Sequence, residues 1–336
     1  MSPHPQSWLK TTPQGLYCVP GDFHIDPLRA VRRAVITHAH ADHARPGNAH
    51  VLATGATLAI MQTRMGAERA GGALQALAYG ETLAVNGVQL TLYPAGHVLG
   101  SAQLLMEYEG ARAVVSGDYK RQPDPTCTPF EPIACDVFVT EATFGLPVFR
   151  HPEAADEIRR LLTSVALFPE RTHVIGAYAL GKCQRVIATL RECGYHAPIY
   201  LHGAHVAVCD TYRALGIDLG DLRPATVADK AALKGAIVLA PPSAIADRWA
   251  RRLEDPVVCM ASGWMRIRQR AKAGGVELPL IISDHADWDD LLRTMRETGA
   301  PEVWVTHGAE EALIHAAGKL QIKAKALSLV GYGEEE

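Results

Sequence analysis

The sequence predicts an α/β protein in two parts, and three observations carry that expectation. Short β-rich runs crowd the first 145 residues, helices and short buried strands alternate between Glu153 and Ala261, and the earlier pattern returns after Gly275. Alternation of strand and helix marks a parallel sheet covered by helices. The two ends of the chain can then share one domain, with the alternating segment set between them in sequence.

Taken in order, the first part offers strands at Ala34 to Thr37, Val88 to Tyr93, Gln103 to Tyr108, Ala113 to Ser116 and Val137 to Thr140, with one clear helix around Thr57 to Met65. The Pro-rich stretch Gln122 to Pro132 reads as an extended loop. The middle begins with helix Ala154 to Leu167, strand Thr172 to Gly176, helix Lys182 to Cys193 and strand Pro198 to Leu201. Helix Val206 to Leu215, strand Ala236 to Ala240, helix Ala244 to Leu253 and strand Val257 to Ala261 continue it. The Gly274-Gly275 pair reads as a turn. A strand at Leu280 to Ser283, a helix near Trp288 to Glu297, a strand at Val303 to Thr306 and a helix from Ala309 follow.

Composition narrows the class. A chain of 336 residues, 48% hydrophobic and 21% charged, is globular and able to bury a large core, neither disordered nor fibrous. A net charge of −3 gives no globally basic surface, so a polyanion would need a local basic patch or metal ions. The cysteines (Cys18, Cys127, Cys135, Cys183, Cys193, Cys209, Cys259) form no Cys-x-x-Cys and no even framework, which points to buried free thiols in a reducing cytosol. Met1 to Leu16 lacks the pattern of a secretory leader and no stretch is long enough to cross a bilayer, so the expected location is cytoplasmic, away from membranes.

Chemistry is concentrated in the run Thr37-His38-Ala39-His40-Ala41-Asp42-His43, directly after the apolar stretch Arg33 to Ile36. Histidines two apart at a strand end project to one side, so His38 and His40 can share an ion. Asp42 and His43 are adjacent and point differently, which suits a second ion a few ångströms away. His97 follows a strand and sits between Gly96 and Gly100, where the backbone can approach closely, and it would complete three histidines on the first ion. Asp118, in Ser-Gly-Asp-Tyr, ends the next β pair, where a carboxylate can bridge two metals.

The chain resembles the metallo-β-lactamase-fold nucleases of the β-CASP group, and among them the bacterial ligase-associated DNA exonucleases most closely. The resemblance runs nearly the full length. Beyond the His-x-His-x-Asp-His run it rests on Asp26 in Ile-Asp-Pro, His97, Asp118, Glu141 in Thr-Glu-Ala-Thr-Phe-Gly, His285 in Ser-Asp-His-Ala-Asp and His307 in Val-Thr-His-Gly. It implies a metallo-β-lactamase αββα sandwich, residues 1–145 and 283–336, with an inserted β-CASP α/β cap, residues 146–282, over one side of a metal cleft. It implies that His38, His40 and His97 bind one zinc, that Asp42, His43 and His307 bind another, that Asp118 bridges them and that Asp26 orients from behind; manganese is the alternative ion. Water activated between the cations would attack a phosphodiester in line. His285, positioned by Glu141, would protonate the leaving 3′ oxygen or steady the phosphate.

Lys182 in Ala-Leu-Gly-Lys, and Ser262 and Gly263 in Ala-Ser-Gly-Trp, resemble family loops that hold phosphate, although either loop is equally readable as a connecting turn. Arg266, Arg268, Arg270 and Lys272 give a basic stretch, suited to backbone contacts without sequence information or simply a solvated strip. His24, His50, His173, His202, His205 and His315 read as ordinary histidines, and Trp249, Trp288 and Trp304 as packing.

The resemblance thus implies a metal-dependent nuclease, a 5′-to-3′ DNA exonuclease of repair, with DNA as substrate and a DNA ligase and helicase as partners. RNA processing is the alternative: histidine at position 307 is the RNA-processing pattern, where DNA-repair β-CASP enzymes of the Artemis type carry valine. A small-molecule metallo-hydrolase on the same fold fits less well, given the inserted segment and the separate Glu141 and His285. A non-catalytic scaffold fits less well still, because every ligand position is filled.

Overall fold

In the computed structural model, which describes residues 2–228, 230–245, 249 and 253–327, the early strands pair in the order in which the chain makes them. β1 (Leu9–Thr12), β2 (Gly15–Cys18), β3 (Phe23–Ile25), β4 (Arg33–Val35), β5 (His50–Ala53) and β6 (Ala73–Ala76) form one sheet, antiparallel as far as β3 and parallel beyond it. These strands run to three or four residues, too short for hydrophobic alternation to announce them, so most of them were not expected. The helix Gly55–Met65 starts where the Thr54 hydroxyl accepts the Thr57 N–H at 3.1 Å, and it packs on β6.

β7 (Thr82–Val85), β8 (Val88–Pro94), β9 (Ala102–Tyr108) and β10 (Ala111–Val115) form an antiparallel meander, and β11 (Val137–Ala142) joins β10 in parallel. The β7–β8 hairpin turns at Asn86 (φ 49°) and Gly87 (φ 85°), the left-handed pair that matches strand twist. The alternation of β9 explains its place. Leu104 and Met106 meet Leu16, Phe23, Ile25 and Val35 of the first sheet, while Leu105 joins Phe138, Leu291, Met295 and Leu313 on the opposite face. The second face is covered by the helices Trp288–Glu297 and Glu310–Lys319, giving a helix, sheet, sheet, helix order of layers. Each fully buried Leu or Phe in these layers stabilises by about 1.5–3 kcal/mol.

β12 (His173–Gly176), β13 (Ile199–Leu201), β14 (Leu222–Pro224), β15 (Ile237–Ala240), β16 (Val257–Ala261) and β17 (Leu278–Leu280) make a third sheet, parallel throughout, in the order β14-β13-β15-β12-β16-β17. The chain divides accordingly into one unit of Met1–Pro123, Cys127–Val148 and His285–Glu336, and another of Asp124–Thr126 and Phe149–Asp284. β18 (Glu302–Gly308) and β19 (Lys323–Ala326) return to the second sheet, whose order is β19-β18-β11-β10-β9-β8-β7.

Two expectations change, and a third lies largely outside the described residues. The strand expected at Leu280 to Ser283 is instead Leu278–Leu280, an edge strand of the parallel sheet, where Pro279 is tolerated because a strand edge needs no second ladder. The helix expected from Val206 starts at Gly203, because His202 Nδ1 accepts the Ala204 N–H at 3.1 Å and caps it. The helix expected over Ala244 to Leu253 falls largely outside the described residues, which show a short helix Pro242–Ile245. The cysteines form no disulfide; five are buried, and Cys127 and Cys193 are half-buried. Among the described residues no helix is long and apolar enough to cross a membrane.

At the start of β18 the period-two geometry sets a buried carboxylate beside exposed lysines. Glu302 and Trp304 share one face opposite Lys323 and Lys325 of β19. The Glu302 carboxylate accepts from Trp304 Nε1 at 2.6 Å, from Lys323 Nζ at 2.9 Å and from Lys325 Nζ at 3.2 Å. Although burial opposes it, these donors hold the carboxyl down to about 2. A depressed carboxylate contributes stability that is present above the ordinary Glu range and lost as pH falls toward the depressed value. Glu302→Gln is therefore expected to lower the unfolding free energy at neutral pH by about 2 kcal/mol. It should also flatten the loss of stability between about pH 4.5 and 2. Urea unfolding as a function of pH checks both, and an unchanged acid limb would remove Glu302 from the account.

Candidate metal centre

Asp26, directly after β3 and at φ 44°, ties this strand to the histidine run. Its Oδ1 accepts the Thr37 N–H at 2.8 Å and its Oδ2 the Thr37 hydroxyl at 2.6 Å, while Oδ2 also lies 2.7 Å from His43 Nδ1. Thr37 Oγ1 is in turn 3.1 Å from His38 Nδ1. The carbonyl of Thr37 accepts from Ala102 N at 2.8 Å and that of Ala39 from the Arg64 guanidinium, so backbone as well as side chains hold the run. The His97 loop is equally fixed. Ser101 Oγ accepts the His97 and Val98 N–H groups at 3.0 and 3.2 Å, and Thr54 and Thr57 donate to the Gly100 carbonyl at 2.7 and 2.9 Å. Gly96 (φ 70°) is required there, since a Cβ would lie 2.5 Å from the Lys120 carbonyl oxygen.

These supports leave one nitrogen of each histidine facing a common centre. His40 Nδ1 is 3.1 Å from His38 Nε2 and 3.0 Å from His97 Nε2. Asp118 Oδ2 is 3.4 Å from His38 Nε2, 3.7 Å from His97 Nε2 and 3.4 Å from His43 Nε2, and Oδ1 is 3.7 Å from His307 Nδ1. Asp42 Oδ2 lies 3.4 Å from His43 Nε2. The groups His38, His40, His97, Asp118 and His43, Asp118, His307 each offer ligand atoms within 4.8 Å of one another, as do His38, Asp42, His43. Asp118 belongs to both of the first two. Candidate ligands thus come together from β4, β8, β10 and β18, with Asp42 grouped with His38 and His43 and with His307 grouped with His43 and Asp118.

Charge tests whether a metal fits. Burial pushes the His38 imidazole toward its neutral form, the form that ligates. His43 is just as buried, yet the Asp118, Asp42 and Asp26 carboxylates draw it well above the usual His range. Asp118 stays well below the usual carboxylate range against its own burial, chiefly through His43. The carboxylates therefore demand positive charge at this centre. Asp42 Oδ1 and Asp118 Oδ1 are buried with no hydrogen-bond donor among the described residues, which is how a carboxylate waits for a cation. The imidazole and carboxylate donors can hold a divalent metal.

A further pair adjoins this centre. Glu141, on β11, is 1% exposed and has both oxygens engaged: Oε1 accepts the Tyr119 N–H at 2.8 Å and Oε2 lies 2.9 Å from His285 Nδ1. The His285 ring stands 4.7 Å from that of His97, and its side chain is 22% exposed, so it can meet a ligand. Asp118, Glu141 and His285 also lie within mutual ligand distance.

The residues expected to hold phosphate fare differently. Lys182 is a correction: its ammonium is buried and pairs with Asp284 Oδ2 at 3.0 Å, beside Arg185, which pairs with Asp124 at 2.7 Å and Asp284 at 3.2 Å. A buried cation needs a buried counter-charge, and Asp284 supplies it. The Gly181 N–H is likewise taken by Gln184 Oε1 at 2.8 Å. Ser262 Oγ accepts the Trp264 N–H at 3.2 Å, capping the short 3-10 helix Gly263–Arg266 within which Gly263 is buried. Arg266 and Arg268 are exposed, while Arg270 lies over the Trp264 ring at 4.2 Å. Sequence reasoning missed Thr37, Arg64, Tyr119 and Lys120, which bond to groups around the centre; nearness in sequence to His38 or Asp118 was the signal for three of them.

Residues 25–176 match the model of the metallo-beta-lactamase superfamily, and the chain carries a domain of that kind. It is 29% identical to a probable DNA ligase of Opitutus terrae over 90% of this chain and 29% of that protein. Cleavage and polyadenylation specificity factor subunit 3 of Dictyostelium discoideum is 31% identical over 40% of this chain and 19% of its own length. The chain thus spans less than a third of either relative. A ribonuclease of Thermus thermophilus is 26% identical, covering 93% of this chain and 89% of that one. A crystal structure of a protein of unknown function from Enterococcus faecalis superposes with a TM-score of 0.61 at 11% identity, covering 90% of this chain and 80% of that chain, and shows the fold alone.

Because Asp26 fixes the ring that His43 presents, Asp26→Asn is expected to weaken divalent-metal binding by about 10- to 100-fold while leaving the fold intact. Chelator competition measures it; unaltered affinity would mean that His43 is oriented without Asp26.

Proposed function

We propose that this metallo-β-lactamase-domain chain is a metal-dependent phosphodiesterase that degrades DNA from a 5′ end, in repair alongside a DNA ligase and helicase. The observation that carries the reading is the joint presence, around Asp118, of a metal-ligand set and a separate Glu141–His285 pair. Ions and water suffice for an ester with a good leaving group; a phosphodiester also calls for a proton donor at the departing oxygen. His38, His40 and His97 would hold one ion and Asp42, His43 and His307 the other, with Asp118 shared. Imidazoles outnumber carboxylates in this set, which favours zinc, with manganese as the alternative. When bound, the ions supply Lewis-acid neutralisation of the phosphate charge and lower the pKa of water.

The protein's own groups do the rest. Glu141 holds the His285 ring through Nδ1, which leaves Nε2 to give its proton to the departing 3′ oxygen. Asp26 and Thr37 keep His38 and His43 in the ligating orientation. Arg266 and Arg268, exposed and close in sequence, suit phosphate contacts that carry no base information. The similarity to a probable DNA ligase over 90% of this chain favours DNA as the polymer. A second reading, RNA cleavage, is favoured by the similarity to a ribonuclease along nearly the whole of both chains.

Digestion of end-labelled single- and double-stranded DNA and matching RNA, with zinc or manganese, separates these readings. Mononucleotide release from the 5′ end of DNA is expected. Cleavage of RNA alone would move the assignment to RNA processing, and hydrolysis of small esters without polymer cleavage would overturn the nuclease reading. His285→Ala should keep its metal content and slow DNA cleavage by about two to four orders of magnitude. The loss should shrink on a p-nitrophenyl phosphodiester, which needs no acid; an equal loss would assign His285 to phosphate binding instead. Arg266→Ala should reduce the slope of log affinity against log salt by about one unit, evenly across DNA sequences. An unchanged slope would leave Arg266 a solvated residue.

A further inference from the structure

His285 lies in a stretch with no regular structure, residues 281–287, between β17 and the helix Trp288–Glu297. No ladder fixes its backbone, and the Glu141 contact at Nδ1 holds the ring rather than the peptide. Both ends of the peptide group that joins His285 to Ala286 are nonetheless engaged. The His285 carbonyl accepts from Lys120 Nζ at 3.2 Å, and the Ala286 N–H donates to the Tyr119 carbonyl at 2.6 Å. Tyr119 and Lys120 directly follow Asp118, and the Tyr119 N–H is the same group that holds Glu141. The Lys120 N–H donates in turn to the Ala95 carbonyl at 3.0 Å, two residues before His97, on the loop whose Gly96 must lie against the Lys120 carbonyl. Lys120 is 1% exposed. Burying an ammonium is costly and has to be offset by the groups around it. The Asp290 carboxylate lies within range of its charge.

We propose that Lys120 is a positioning residue: with Tyr119 it clamps the His285–Ala286 peptide, so that the imidazole is held in register with the carboxylate of Asp118. The inference rests on the reading of His285 as proton donor. A misplacement of about 1 Å at a reacting group costs on the order of 100-fold in rate, so a backbone clamp here acts on kcat.

Lys120→Met keeps the buried stem and removes the donor. Expected are a kcat on DNA lower by about 10- to 100-fold, unchanged KM and metal content, and partial rescue by Lys120→Arg. Combined with His285→Ala, Lys120→Met should add less than about a two-fold further loss, because both changes act through one imidazole. A second arm does not use activity. In histidine-labelled, metal-loaded protein the His285 Nδ1–H resonance, identified by its absence in His285→Ala, should shift and exchange faster in Lys120→Met. Fully additive losses, or an unmoved His285 resonance, would overturn the clamp. If the wild type cleaves no phosphodiester, the proposed function fails while the resonance still decides the role of Lys120. Should Lys120→Met not fold, Lys120→Leu, which also lacks a donor, carries both arms.

Discussion

The buried carboxylate of Asp118 is the constraint on which the rest of this unit depends. It is 5% exposed, lies just past the end of β10, and is within ligand distance of three groups of side chains drawn from other parts of the chain. A lone buried carboxylate is expensive, and several buried histidines around it repel one another once charged. The centre is tolerable only with positive charge placed in it, and it is useful only if each ligand atom is kept within a few tenths of an ångström. Gly117 shows how tight that is: at φ 55° it lies where a Cβ would come 2.7 Å from Thr37 Oγ1, so the backbone before Asp118 presses on the residue that orients His38.

Rigidity of that order comes from the layers beneath. β9, β10 and β11 are buried on both faces, one against the first sheet and one against two helices, so their ends cannot drift without opening a core. Of the candidate ligands, Asp118 sits just past β10, while the His38 to His43 run and His97 follow β4 and β8 in loops whose backbone groups are bonded to Asp26, Ser101, Thr54, Thr57 and Arg64. Loops of this kind combine the reach of irregular backbone with the precision of a sheet. His285 is the exception, since it has no strand beneath it and takes its backbone bonds from Tyr119 and Lys120.

Charge is handled differently in the second unit. Lys182 and Arg185 face Asp124 and Asp284 in a buried network that balances two cations with two carboxylates, and it fastens the short segment Asp124–Thr126 to that unit. Groups so paired are spent on structure. Arg266 and Arg268 remain exposed, and an exposed guanidinium meets a phosphate without first losing a buried partner.

Sequence alone determined whatever depends on local spacing. The alternation that makes β8 to β11, the βα rhythm of the middle segment, and the candidate ligand run from His38 to His43 all follow from local spacing, which a short window displays. The resemblance extended this to Glu141, His285 and His307, and the geometry brings all three to Asp118. Tertiary structure decided what depends on partners far away in the chain. Whether Lys182 meets a phosphate or Asp284 is settled by which side chain is buried beside it, and its position at the head of a helix looks the same in either case. The chain at 278–280 became an edge strand because β16 offered it an open ladder. Lys120 reaches a carbonyl 165 residues away, and such a contact leaves no periodic trace, because its energy comes from burial and closure of a long loop rather than from the residues on either side.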